Sequence, residues 1–140
     1  MSRVFWDTNL FIYLFEDYGN FSARVANLRD RMLSRGDHLF TSTFTLGEIL
    51  IKPLEARDDE LRRQYENALE ATAVMIPFSA QVARIYAAIR KDRKVKAPDA
   101  IQLACAAHAE VDLFITNDEH LSGKTVPGIQ FVVSLSRAPY

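Results

Sequence analysis

Short apolar runs alternate with helical stretches, and this alternation constrains the chain more than any other feature. Residues 3–6, 38–41, 74–76 and 113–116 read as strands, and 129–133 as a fifth. Between them the periodicity is helical. Thr8 to Phe15 reads as a helix with Leu10 and Leu14 inward. In residues 20–35, Val25, Leu28 and Met32 recur at helical spacing among Arg and Asp, until Gly36-Asp37 ends the run. Ser42 or Thr43 can cap a helix that reaches about Lys52 and stops before Pro53. Residues 58–71 form a charged helix, Ser79 caps one through about Lys91, and Pro98 opens one to about Ala109. Strands alternating with helices predict an α/β fold with a mainly parallel sheet of four to five strands, buried on both faces.

The chain has 140 residues, 49% of them hydrophobic and 25% charged, which suits a single globular domain over 1–140. A formal net charge of -1 gives no overall sign of a nucleic-acid partner, so any such contact needs a local patch. Cys105 is the only cysteine, which excludes an intramolecular disulfide and a cysteine metal cage and points to the cytoplasm. No targeting segment is expected ahead of the first strand, and the apolar run Leu10 to Phe15 is too short to span a membrane.

In parallel α/β sheets, ligands bind beyond the carboxyl ends of the strands. Two strands end there in matching fashion, VFWDTN at Asp7 and FITND at Asp118. Glu48 in TLGEILI and Asp99 in APDA complete a set of four carboxylates in apolar, small or uncharged company. Such charges are costly unless compensated, and a divalent cation with hard oxygen ligands is the usual remedy. Each acid also has a structural reading. Asp7 and Asp118 can each cap the next segment of chain, Asp99 suits a helix start, and Glu48 can be a surface residue. The weight lies on all four occurring together.

The segments DTNLFIYLFE, TSTFTLGEIL and KAPDAIQLACAAHAEVDLFITND, in this order, resemble the PIN-domain ribonucleases. They are most similar to the small VapC-like toxins of type II toxin–antitoxin pairs, and the resemblance covers nearly the whole chain. It implies a PIN-like three-layer α/β/α fold. It also implies a Mg²⁺- or Mn²⁺-dependent endoribonuclease, with an RNA substrate, a cognate antitoxin and a homodimer as partners. Asp7, Glu48, Asp99 and Asp118 match the family's metal-binding acids. Thr8 and Asn9 match the residues that shape the first loop, and Thr116 and Asn117 those that support the last acid. Glu119 reads as a solvated neighbour.

Arg90, Lys91, Arg93, Lys94 and Lys96 form a dense basic run just before Asp99. It is read as a phosphate-facing loop, against the alternative of a solvated helix end. The alanines around Cys105 are expected to let their helix pack closely. Phe11, Tyr13, Phe15, Tyr18 and Phe21 are assigned to core packing, with some left over for a partner surface. Three other classes compete with the nuclease: a catalytically inactive PIN-like binding module, a haloacid-dehalogenase-type phosphatase and a receiver domain. The phosphatase wants a second Asp where Asn9 stands, and the receiver wants a strand-end Lys that is missing.

Overall fold

The computed structural model describes residues 1–140. Strands β1 (Arg3–Trp6), β2 (His38–Ser42), β3 (Val74–Ile76), β4 (Leu113–Thr116) and β5 (Phe131–Ser134) form one sheet in the order β3-β2-β1-β4-β5. Every pairing is parallel, with Val4 opposite Leu39 and Leu113, and Phe114 opposite Val132.

Period-two alternation sends successive side chains to opposite faces, and each face has its own core. Phe5, Phe40, Phe114 and Val132 meet α6 (Ala80–Ile89) and α7 (Ala97–His108), with Phe5 and Phe114 stacked at 5.2 Å. Val4, Trp6, Leu39, Leu113 and Ile115 face the other way. They meet α1 (Thr8–Phe15), α2 (Asn20–Arg35), α3 (Thr43–Ile49) and α5 (Asp59–Thr72) through Leu10, Phe11, Val25, Leu28, Met32, Ile49 and Leu69. This is the expected three-layer α/β/α arrangement. Ala100, Ala104, Ala106 and Ala107 are all buried in α7, and burial pushes the Cys105 thiol up to about 11, as suits a small core residue.

Two boundaries differ from expectation. The helix after Ser42 breaks at Leu50, and a short helix α4 (Ile51–Glu55) comes next with Pro53 inside it. Pro53 is its third residue, where a backbone N–H has no helical partner to lose. The fifth strand starts at Phe131 rather than Ile129, because Val126 to Ile129 is a turn closed by Ile129 N–H onto Val126 C=O. Gly128 in that turn has φ +97°, and a Cβ there would stand 2.9 Å from the Ala107 carbonyl oxygen. A side chain would force the turn off α7.

Phe11 lies in the core and Phe15 stacks on Tyr65, whereas Tyr13 stacks on Phe21 at 5.0 Å at the surface. No helix is long and apolar enough to cross a membrane.

From β1 the chain builds outward to β2 and β3, then returns to place β4 on the other side of β1. The helices change faces at the same point. The carboxyl ends of β1 and β4 therefore flank a topological switch point, where strand order opens a crevice.

Candidate active site

Asp7 comes directly after the last residue of β1, and its backbone N–H continues the ladder onto the Ile115 carbonyl at 3.0 Å. Its carboxylate is buried and held on both oxygens. Oδ1 accepts from the Thr8 backbone N–H at 2.9 Å and from Gln102 Nε2 at 3.2 Å. Oδ2 accepts from Thr116 Oγ1 at 2.8 Å. Burial pushes the Asp7 carboxyl up more strongly than these bonds pull it down, and the charge of Asp118 pushes it further.

Asp118 lies two residues past β4, with Oδ1 accepting from the His120 backbone N–H at 2.9 Å. Thr116 joins the two strand ends, because its hydroxyl donates to Asp7 and accepts from the Asp118 backbone N–H at 3.0 Å. Glu48 comes from α3 and is fixed by Thr8, whose hydroxyl donates to Oε1 at 2.5 Å. Burial raises the Glu48 carboxyl, and the Asp7 charge adds to this against the Thr8 bond. Asp99 stands in the first turn of α7. Burial raises its carboxyl, the charges of Asp7, Asp118 and Glu48 raise it further, and Lys96 opposes them.

The acids line two adjoining clefts. One, of about 250 Å³, takes Asp7, Thr8, Asn9, Glu48, Asp99 and Gln102 into its wall. The other, of about 360 Å³, is lined by Asp99 and Asp118 together with Lys94, Lys96, His120 and Lys124. Asp99 belongs to both. None of the four acids takes part in an ion pair with Lys, Arg or His. No three acidic, histidine or cysteine side chains already converge on one point as a ligand set.

Behind the acids lies a buried polar network that no motif of the sequence marks. Gln102, 2% exposed, reaches Thr8 Oγ1 at 3.1 Å and Thr45 Oγ1 at 2.8 Å besides Asp7, and its Oε1 accepts from the Ser42 hydroxyl. Thr45 in turn accepts from Thr41 at 2.8 Å. The available signal was position: Gln102 sits three residues after Asp99, on the same helix face, and is polar in a helix otherwise small or apolar.

The model of the PIN domain matches residues 4–125 of this sequence. The chain belongs to the PIN-domain family. Among solved structures, this PIN chain is similar to one in VapBC2 from Rickettsia felis bound to a DNA fragment from their promoter. That match has a TM-score of 0.74 and 14% identity over 94% of this chain and 98% of the other. It is similar to one in a toxin–antitoxin complex from Klebsiella pneumoniae, with TM-score 0.64 and 25% identity over 90% and 94%. It is also similar to one in VapBC-5 from Mycobacterium tuberculosis, with TM-score 0.59 and 20% identity over 96% and 99%. None of the curated proteins matches it.

Within this PIN fold, Asn9 and Asn117 tie the two strand-end loops together. Asn9 Oδ1 accepts from the Asn117 backbone N–H at 3.3 Å, and Asn117 Nδ2 donates to the Tyr13 hydroxyl at 2.8 Å. The basic run divides. Lys94 and Lys96 line the cleft with Asp99 and Asp118, whereas Lys91 lines a separate groove. Arg90 turns back along its own helix, with Nη1 on the Tyr86 hydroxyl at 3.3 Å, and Arg93 is exposed. Lys124, which lies outside the basic run, joins Lys94 and Lys96 at the cleft. Glu119 is exposed, its carboxylate 3.4 Å from the Ser136 hydroxyl.

Proposed function

We propose that this PIN chain is a metal-dependent endoribonuclease that hydrolyses RNA phosphodiester bonds, and that it is the toxin of a toxin–antitoxin pair. One observation carries the enzymatic reading: four carboxylates line two adjoining clefts at the switch point, with no cation paired to any of them. Their donor chemistry fits a hard divalent ion, since the oxygens are carboxylate and partly desolvated, and three of the acids have raised affinity for a proton. Asp7, Asp99 and Asp118 would hold Mg²⁺ or Mn²⁺, and Glu48 would complete the set or orient water. Activation of water and neutralisation of charge on the phosphate are what such an ion supplies when bound.

The chain's own residues do the rest. Thr116 and Gln102 aim Asp7, Thr8 aims Glu48, and Lys94 and Lys96 offset the repulsion between acids and a polyanion. The products are a 5′-phosphate and a 3′-hydroxyl. The antitoxin partner is inferred from the toxin–antitoxin complexes among the similar structures.

The purified chain is expected to cut RNA in Mn²⁺ and to stop in excess chelator. Undiminished cleavage in chelator would overturn the metal-dependent reading. For the toxin role, induction in cells should arrest growth, and co-expression of a short adjacent gene should relieve it. Unimpaired growth while the RNA is being cut would remove that role.

A further inference from the structure

The second groove is the largest concave feature beside the acids, about 750 Å³, within the size range of small-ligand sites. Its floor is aliphatic, made by Ile85 and Ile89 of α6, Leu103 of α7, and Val95 and Val126 of the loops. Its rim carries Arg84, Lys91 and Lys124, with Asp92 the one acid. An apolar slot under a cationic rim matches a nucleotide, whose base is flat and apolar on its faces and whose phosphate is anionic.

The ridge between groove and acid cleft decides which nucleotide. Residues 94–96 alternate across it: Lys94 and Lys96 line the acid cleft, and Val95 between them lines the groove. Lys124 lines both. Asp92 steadies the ridge, with Oδ1 accepting from the Lys94 backbone N–H at 3.0 Å and Oδ2 3.6 Å from Lys124 Nζ. A strand with a phosphate at Asp99 and Asp118 would cross this lysine ridge and drop its next base into the groove.

We infer that the groove between α6, α7 and the 124–127 loop is a base-binding subsite for a nucleotide neighbouring the scissile phosphate. This rests on the RNA-cleaving reading of the acid cleft. No aromatic side chain lines the groove, so the base is gripped between aliphatic side chains, and the exposed Thr125 hydroxyl is placed to meet its edge.

The test uses the full chain and a single-stranded RNA oligonucleotide. A set of these carries 4-thiouridine at each position in turn, for photo-crosslinking in chelator. A second set carries an abasic ribose at each position, for cleavage in Mn²⁺. Ala88, an exposed residue lining the groove, is replaced by Trp to fill it. Asn67→Trp, on an exposed position of α5 across the sheet, is the control. Crosslinks from one position should map to residues 125–127 or α6. Ala88→Trp should lower kcat/KM on intact RNA about tenfold, the scale of losing one buried apolar contact. It should have no effect on the oligonucleotide abasic at that same position.

Cleavage by the wild type with crosslinks elsewhere, and Ala88→Trp behaving as Asn67→Trp does, would overturn the subsite alone. Groove crosslinks without Mn²⁺-dependent cleavage would overturn the nuclease reading, and with it the place of the subsite beside a scissile phosphate, leaving the groove as an RNA contact only. An acidic amphipathic peptide that protects the groove where RNA does not would assign it to a protein partner and overturn the inference.

Discussion

Two buried aspartates stand at opposite ends of the sheet, and their surroundings pull their acidities in opposite directions. Asp37 precedes β2 at its amino end, and Asp7 stands just past β1 at its carboxyl end. Burial pushes both carboxyls up. At Asp37 this is outweighed by the Tyr140 hydroxyl at 2.5 Å, the Ser2 backbone N–H at 2.7 Å, Arg35 at 3.5 Å and the N-terminal charge, so its carboxyl stays below the ordinary range. Asp7 also has three donors but no cation, and Asp118, Glu48 and Asp99 crowd it with like charge. Asp37 is thus a satisfied structural pin. Asp7 is satisfied in hydrogen bonds and has no cation to offset the like charges around it, the feature on which the proposed metal site rests.

The largest expected effect tests the function of the unsatisfied end. Asp118→Asn should cut RNA cleavage by roughly 10³-fold, the scale of losing one electrostatic contact to a transition state. Its melting temperature should hold or rise, because one of the crowded charges is gone. A parallel loss of folding and cleavage would make Asp118 structural and dissolve the contrast.

Gln102→Leu comes next. It leaves buried hydroxyls of Ser42, Thr45 and Thr8 without their amide partner, so stability should fall toward the upper end of roughly 1–3 kcal/mol in denaturant unfolding. Mn²⁺ affinity should fall as well, measured by calorimetry on the folded fraction, because Asp7 loses one of its aiming donors. Unchanged affinity would confine Gln102 to the fold.

The satisfied end should respond in stability instead. Asp37→Asn should cost about 2 kcal/mol, the size of hydrogen bonds to a charged group, with cleavage of RNA unchanged at temperatures where the variant is folded. A cleavage defect there would mean that the two ends are coupled.

The smallest effect is in the pH dependence. For Asp7, Glu48 and Asp99 the folded chain binds protons more tightly than the unfolded chain, so they cost stability as pH rises through their raised values. Asp37 has the opposite sign: its contribution is present above the unfolded value and is lost as pH falls through its depressed one. Without metal, melting should therefore rise as pH falls through the raised values of these three acids toward the ordinary carboxylate range, then fall once Asp37 takes up its proton. Saturating Mn²⁺ should raise melting at neutral pH and do so less as acidification protonates its ligands. A Mn²⁺ effect that does not weaken toward acid would place the ion away from these carboxylates.

The sheet was legible in the chain because side-chain period and turn residues act over a few neighbours. Val4 to Trp6 alternate faces, Ser42 and Ser79 cap the helices after them, and Gly36 closes α2. Where competing local rules met, the boundaries came out differently, as at Pro53, which sits in a first helical turn, and at Gly128, whose turn delays the last strand. The four acids were visible as charged residues in apolar company, and the order of their motifs named the family that the match over residues 4–125 bears out.

What sequence alone determined is therefore the alternation of elements, the parallel sheet and the acids at its carboxyl end. What only the tertiary structure decided is who touches whom. Thr116 meets Asp7 across 109 residues and Gln102 meets it across 95, and no local pattern carries such pairings. Lys91 comes to one cavity and Lys94 and Lys96 to another for the same reason, while Arg90 and Arg93 line neither. Alternate residues of one loop face opposite sides of a ridge, and the ridge exists only after α6 and α7 have packed on the sheet.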